Sequence, residues 1–179
     1  MSDYQVMKKS FLSILLSLFV FTGFSEELKL HKQKSNFILD CGYQIGIRYH
    51  SSDRLKINSF YSFNLSPKFS LGLGTGTRYY HKVDEFFVPL YLDSRFDFSN
   101  EGTTMPFISM DLGYSFHPNE GKMDKVGVLF NVAVGCGKQL SDNLRINLSI
   151  DYEGQSTIES SVINYTAETI GFNIGLVFY

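Results

Sequence analysis

The chain of 179 residues has no tryptophan, only four prolines, and only two cysteines, Cys41 and Cys136. Two thiols are too few for a disulfide-stapled fold, and neither belongs to a CxxC pair or a Cys/His cluster with zinc-ligand spacing. No cofactor or metal is therefore expected. A formal net charge of -2 supplies no overall attraction to nucleic acid or anionic lipid. The sequence also lacks an apolar run of the roughly 20 residues that a membrane-crossing helix needs. Its compact apolar segment, Phe11 to Phe24, falls short of that length.

That segment follows Lys8 and Lys9 and precedes Ser25, Glu26 and Glu27, the layout of a secretory signal peptide. Small residues at Gly23 and Ser25 suit a cleavage site, so residues 1–25 are expected to be removed. Met1 and Met7 both remain open as the start. No cysteine follows the apolar segment, which disfavours a lipoprotein. Residues 26–35 then form a polar lead, and residues 36–179 form one domain.

What the chain does have is aromatic residues, 17 Phe and 11 Tyr, together with 15 Gly, a mix that favours strands over helices. From Phe37 onward the pattern is alternation, the mark of strands with chemically different faces. One face of the first strand carries Phe37, Leu39, Cys41, Tyr43, Ile45, Ile47 and Tyr49; the other carries Asp40, Gly42, Gln44, Gly46, Arg48 and His50. Seven further stretches, beginning near Leu55, Phe69, Phe86, Ile108, Val126, Leu144 and Ile170, repeat it. Ser66, Ser99 and Ser141 head three compact turns, whereas Pro118–Lys125 and Gln155–Thr166 read as the longest loops. Pro89 lacks a ladder donor inside the fourth strand and should mark a bulge or the rim.

The sizes of the side chains decide which face is inside. One face is almost uniformly large and apolar, while the other mixes glycine with Asp, Arg, Asn, Gln and Ser, which cannot make the dry core of a soluble barrel. The bulky face therefore meets lipid and the mixed face fills a lumen. Lipid also excludes open sheet edges, because unpaired backbone groups in hydrocarbon cost several kcal/mol each. The expected fold is all-β, an eight-stranded antiparallel up-and-down transmembrane β-barrel. Its lumen is expected to hold a charge network of Arg48, Arg78, Arg95 and Arg145 with Asp40, Asp93, Asp111 and Asp151. Aromatics collect at both strand ends: Tyr49, Tyr79, Phe86, Phe116 and Tyr152 at one, and Phe37, Phe63, Phe69, Phe98 and Phe178 at the other, as interfacial girdles require.

With these residues in place, the stretches PFISMDLGYSF and GVLFNVAVGCGKQLSDNLRINLSIDY and the aromatic last strand GFNIGLVFY resemble the small outer-membrane β-barrel superfamily of the OmpA and OmpX types. The resemblance covers about residues 36 to 179. It implies an integral outer-membrane protein of a Gram-negative bacterium, exported by the signal peptide, with residues 26–35 and the compact turns in the periplasm. Outer-membrane lipid and lipopolysaccharide would surround it, and the barrel-assembly machinery would read its last strand. Such barrels commonly end on a lipid-facing Phe; here Phe178 is lipid-facing and Tyr179 lies one position beyond.

No catalytic motif is expected. Ser115-Phe116-His117 resembles the serine and histidine pair of outer-membrane lipid A deacylases, but the order is reversed and both residues are assigned to the lumen. His50, His81 and His117 fall near strand ends without a carboxylate at ligand-like spacing. Cys41 and Cys136 fall on non-adjacent strands, so no disulfide is expected between them. An eight-stranded barrel is just wide enough to be filled by its own side chains. The expected role is thus non-enzymatic and structural, with surface interaction, to a host or cell-surface ligand, left to the outer loops. A lipid hydrolase and a narrow channel for ions or small solutes are the alternatives.

Overall fold

The computed structural model describes residues 35–48, 51–82, 84–99, 104–119, 122–159 and 163–179. Eight strands succeed one another along the chain: β1 (Ser35–Gly46), β2 (Arg54–Asn64), β3 (Phe69–Tyr80), β4 (Glu85–Asp97), β5 (Thr104–Asn119), β6 (Lys122–Ser141), β7 (Leu144–Glu159) and β8 (Ile163–Phe178). Each pairs antiparallel with its neighbours in sequence, and β8 closes the sheet onto β1. Closure leaves no free edge, which is what hydrocarbon demands.

The closure is sheared. Successive paired residues run Phe37, Tyr61, Leu73, Leu92, Leu112, Phe130, Gly154 and Glu168, and the Glu168 carbonyl then accepts from Ile47 N–H, just past the end of β1 and ten residues further along the chain than the starting point. Such a stagger tilts the strands and fixes the width of the lumen. Shorter strands such as β2, with 11 residues, are about the length that crosses a hydrocarbon core.

Alternation along each strand sorts the side chains as the size argument requires. Ile57, Leu73, Leu90, Leu148 and Phe172 point outward with more than half their surface exposed, while Arg54, Arg78, Asp93 and Glu153 are wholly buried inside. An exterior this apolar belongs in lipid. Not every luminal residue is polar, however: Ile38, Phe60, Tyr91, Leu129 and Val177 form an apolar cluster inside the barrel, with Tyr179 packed against it.

The two ends differ. Both ends of the described chain lie with the compact turns, where Ser66 Oγ accepts from Phe69 N–H at 3.0 Å and Tyr179 N–H reaches the Asn143 carbonyl at 3.2 Å. At the opposite end, two segments expected to be long loops are instead paired strand. The β5–β6 ladder continues to Asn119 and Lys122, and the β7–β8 ladder to Glu159 and Ile163. Their backbone groups pair with each other, so two β-hairpins extend where irregular loops were expected.

Pro89 does not produce the expected bulge. The β3–β4 register is the same on both sides of it, and the ladder merely lacks pairs at Gly76 and Thr77. Thr75 Oγ1 donates to the Pro89 carbonyl at 2.9 Å. The register shift lies one hairpin away, where Ser115 faces Gly127 and Phe116 faces Lys125, leaving Val126 as the extra residue. Gly127 sits there at φ 155°, and a Cβ on it would lie 1.8 Å from the Ser156 carbonyl oxygen. Only glycine fits that approach.

Candidate functional site

The chemistry of this barrel is concentrated in its lumen. Near the long-hairpin end, Glu153 is held by two guanidinium groups. Arg78 donates from Nε to Oε1 at 2.9 Å and from Nη2 to Oε2 at 2.8 Å, while Arg54 Nη2 reaches Oε1 at 2.8 Å. The remaining donors are also used: Arg54 bonds Gln44, Tyr80, Gln155 and Thr169, and Arg78 bonds Asn58. All three charged residues are wholly buried. Charge-assisted bonds of this bidentate kind are the strong ones, and they fix a plug spanning β2, β3, β7 and β8.

Below it Lys56 bonds Asp151, which also accepts from Gln44 Nε2 at 3.0 Å. Toward the compact turns Arg145 pairs with Asp97 at 3.2 Å, and the Arg95 guanidinium lies 4.5 Å from the centre of the Phe107 ring. Glycine supplies the room. A Cβ on Gly74 would lie 2.2 Å from the Tyr91 ring, and one on Gly171 would lie 2.2 Å from Asp151 Oδ1.

Seven of the eight residues expected in the luminal network, Asp40, Arg78, Asp93, Arg95, Asp111, Arg145 and Asp151, line the lumen. Arg48 does not. β1 ends at Gly46, the alternation ends with it, and Arg48 lies at the rim with its side chain 63% exposed, paired to Glu168 at 3.0 Å. Sequence reasoning left out the centre of the network. Arg54 lies just before the second alternating stretch, which begins near Leu55, and Lys56, Asp97 and Glu153 stand on β2, β4 and β7 outside the expected set. Extending the alternation of Asn58 and Lys56 by one step would have found Arg54.

Of the girdle residues, Tyr49 lies outside the described residues. The others face outward, and several pair: Phe37 with Phe178 at 6.2 Å, Tyr61 with Phe63 at 5.1 Å, Tyr79 with Phe86 at 4.6 Å, Phe96 with Phe98 at 5.4 Å and Tyr114 with Phe116 at 5.4 Å between ring centres. Phe69 and Tyr152 are half-buried in the same outward rows, Tyr152 against Phe130.

Ser115 is buried in the lumen without a hydrogen-bond partner, and His117 packs against Phe87. His81 stacks on Tyr43 at the rim, and His50 lies outside the described residues. Cys41 and Cys136 are separate, free thiols on the outer face. Among the described residues no three His, Cys, Asp or Glu side chains converge as a metal site. At the rim, Asp53 accepts from Gly46 N–H at 3.0 Å. That bond, aided by Lys82, His81 and Tyr43, holds its carboxyl below the usual carboxylate range.

No protein-family model and no curated protein matches the sequence. Solved structures do match the fold. Neisserial surface protein A is similar at a TM-score of 0.66 and 8% identity, over 80% of this chain and 96% of that one. The outer membrane protein OprG from Pseudomonas aeruginosa is similar at a TM-score of 0.52 and 10% identity, over 85% of this chain and 98% of that one. Identities this low carry the fold, an all-β closed barrel, and nothing finer.

Proposed function

We propose that this chain is an integral outer-membrane protein whose closed barrel is a rigid, non-conducting anchor and whose two long hairpins make contacts outside the cell. The observation that supports it is the Arg54–Glu153–Arg78 plug. Its two guanidinium groups and the carboxylate between them are engaged by one another and by further buried hydrogen bonds across the lumen, which supports a filled interior. The apolar outer belt would be solvated by outer-membrane lipid and lipopolysaccharide, and the last strand would be read by the barrel-assembly machinery. Placing the compact turns in the periplasm puts the β5–β6 and β7–β8 hairpins on the cell surface, where a host or cell-surface ligand would meet them.

Four experiments test this reading. Outer-membrane fractionation with heat-modifiable gel migration should report a compact barrel, and recovery from the soluble periplasm would refute it. Planar bilayers should show no steps above background; discrete openings would favour the channel. Lipid A from expressing cells should keep its mass, because loss of an acyl chain would favour the hydrolase. Shortening the β7–β8 hairpin should then abolish surface contact while leaving the barrel folded.

A further inference from the structure

The charges of the lumen do not quite balance. Among the described residues Arg54, Lys56, Arg78, Arg95 and Arg145 face inward with Asp40, Asp93, Asp97, Asp111, Asp151 and Glu153, five cations against six carboxylates. Glu153 holds Arg54 and Arg78, Asp151 holds Lys56, and Asp97 holds Arg145. Arg95 lies over the Phe107 ring, and neither its Nε nor its Nη1 has a partner. One negative charge is left in excess, and a buried charge without compensation neutralises by taking up a proton.

The strand register says where that proton goes. Asp93 faces Asp111 directly across the β4–β5 ladder, and the two carboxyl groups are in side-chain hydrogen-bond contact. They are 0% and 2% exposed. Each has one oxygen already engaged: Asp93 Oδ2 accepts from Ser62 at 3.3 Å, and Asp111 Oδ2 accepts from Asn131 Nδ2 at 2.8 Å. The two Oδ1 atoms have no donor. Ionised carboxylates only accept, so the contact between them needs a proton. A single one supplies the missing donor and removes the excess charge, the arrangement that two carboxyls sharing a site adopt.

We propose that Asp93 and Asp111 hold one proton between them and that this proton is a lock in the barrel wall. Bound, it joins Ser62, Asp93, Asp111 and Asn131 in one row across β2, β4, β5 and β6; its loss draws the Arg95 guanidinium from Phe107 to Asp93. The row can pass over β3 because that strand presents Gly72 to Asp93, and a Cβ there would lie 2.4 Å from Ser62 Oγ. The other charged or titratable groups that face the pair are Lys56 from β2 and Tyr91, Arg95 and Asp97 from β4. Asp40 on β1 is faced by Lys56, Arg78 and Arg95, and Glu153 on β7, opposite Asn131, is taken by its two arginines. From Thr169 to Phe178, β8 carries no charged residue.

The test follows the folded protein in detergent from neutral to alkaline pH, with its aspartate carboxyl carbons labelled. Asp93→Asn and Asp111→Asn, which keep the side-chain shape and remove the shared charge, assign the resonances. At neutral pH the two carboxyls should carry one proton in total; none, or two, would overturn the proposal. The folded chain then binds a proton that the unfolded chain has released, so rising pH works against folding. The wild-type folding equilibrium constant should fall about tenfold per pH unit relative to Asp111→Asn until the proton leaves. Parallel pH profiles for the two proteins would refute the lock. As the proton leaves, the Arg95 Nε–H resonance should lose the ring shift of Phe107, and in Asp93→Asn it should stay in place. An Arg95 signal that ignores the carboxyl titration in the wild type would refute the exchange of partners. Should both variants fail to fold, the wild-type proton count and Arg95 signal decide the question alone.

Discussion

Arg78 and Glu153 meet across the lumen through two parallel bonds, Nε to Oε1 at 2.9 Å and Nη2 to Oε2 at 2.8 Å, from strands that are not neighbours in the sheet. The pair therefore ties β3 to β7 through the interior. A fork this exact in geometry is specific to arginine.

Removing the carboxylate should be costly, because it strands two buried guanidinium groups. Glu153→Gln is expected to destabilise the barrel by about 3–5 kcal/mol. Denaturant unfolding in lipid vesicles, followed by gel mobility, reads this directly. Arg78→Lys should also lose stability, since an ammonium cannot form both bonds. A wild-type midpoint in both variants would show that the plug does not hold the barrel together.

Lys56 and Asp151 provide a second test with the opposite signature. Either residue replaced alone, Lys56→Met or Asp151→Leu, leaves a buried charge and should cost about 3–5 kcal/mol. The double replacement removes both charges and should recover most of that loss, because a buried pair is often no better than an apolar pair of similar volume. The unfolding midpoints of the four proteins give the coupling, and strict additivity would exclude it.

The rim responds to acid through Asp53. Its carboxyl titrates below the usual range in the folded chain because Gly46 N–H donates to the ionised form. The contact is thus fully present above the ordinary carboxylate value and is lost as pH falls through the folded value. The Gly46 amide resonance in nanodiscs should shift over that acidic window, and Asp53→Asn should remove the shift. An unchanged Gly46 titration in the variant would assign the acid response to another group.

How legible this was depends on the element. Strand number, the outward face and the compact turns follow from two-residue alternation, which a membrane barrel preserves because lipid and lumen differ in chemistry. Charge partners were less legible. Glu153 and Arg54 are 99 residues apart in sequence and meet only because the stagger of the closed sheet brings β2 and β7 to one level across the lumen. Alternation gives a residue's face and says nothing of its height. The same limit hid the apolar cluster of Ile38, Phe60, Tyr91, Leu129 and Val177: a large apolar residue on the mixed face looks like an error in the pattern until the stagger aligns five of them.

That cluster supplies a final test, because its packing depends on a glycine. A Cβ on Gly74 would lie 2.2 Å from the Tyr91 ring and 2.8 Å from that of Phe60, and the two rings already pack at 5.4 Å between centres. Tyr91 is held in place by its hydroxyl, which donates to the Thr75 carbonyl at 3.2 Å. Gly74→Ala should therefore overpack the lumen at a cost of about 1–3 kcal/mol. Tyr91→Ala should cost about 3–5 kcal/mol through the cavity it leaves. Together they should cost less than the sum, because the new methyl group enters space that the ring has vacated, with a coupling of about 0.5–3 kcal/mol. Additive losses in denaturant unfolding would mean that Gly74 is required for the strand's conformation and not for the ring beside it.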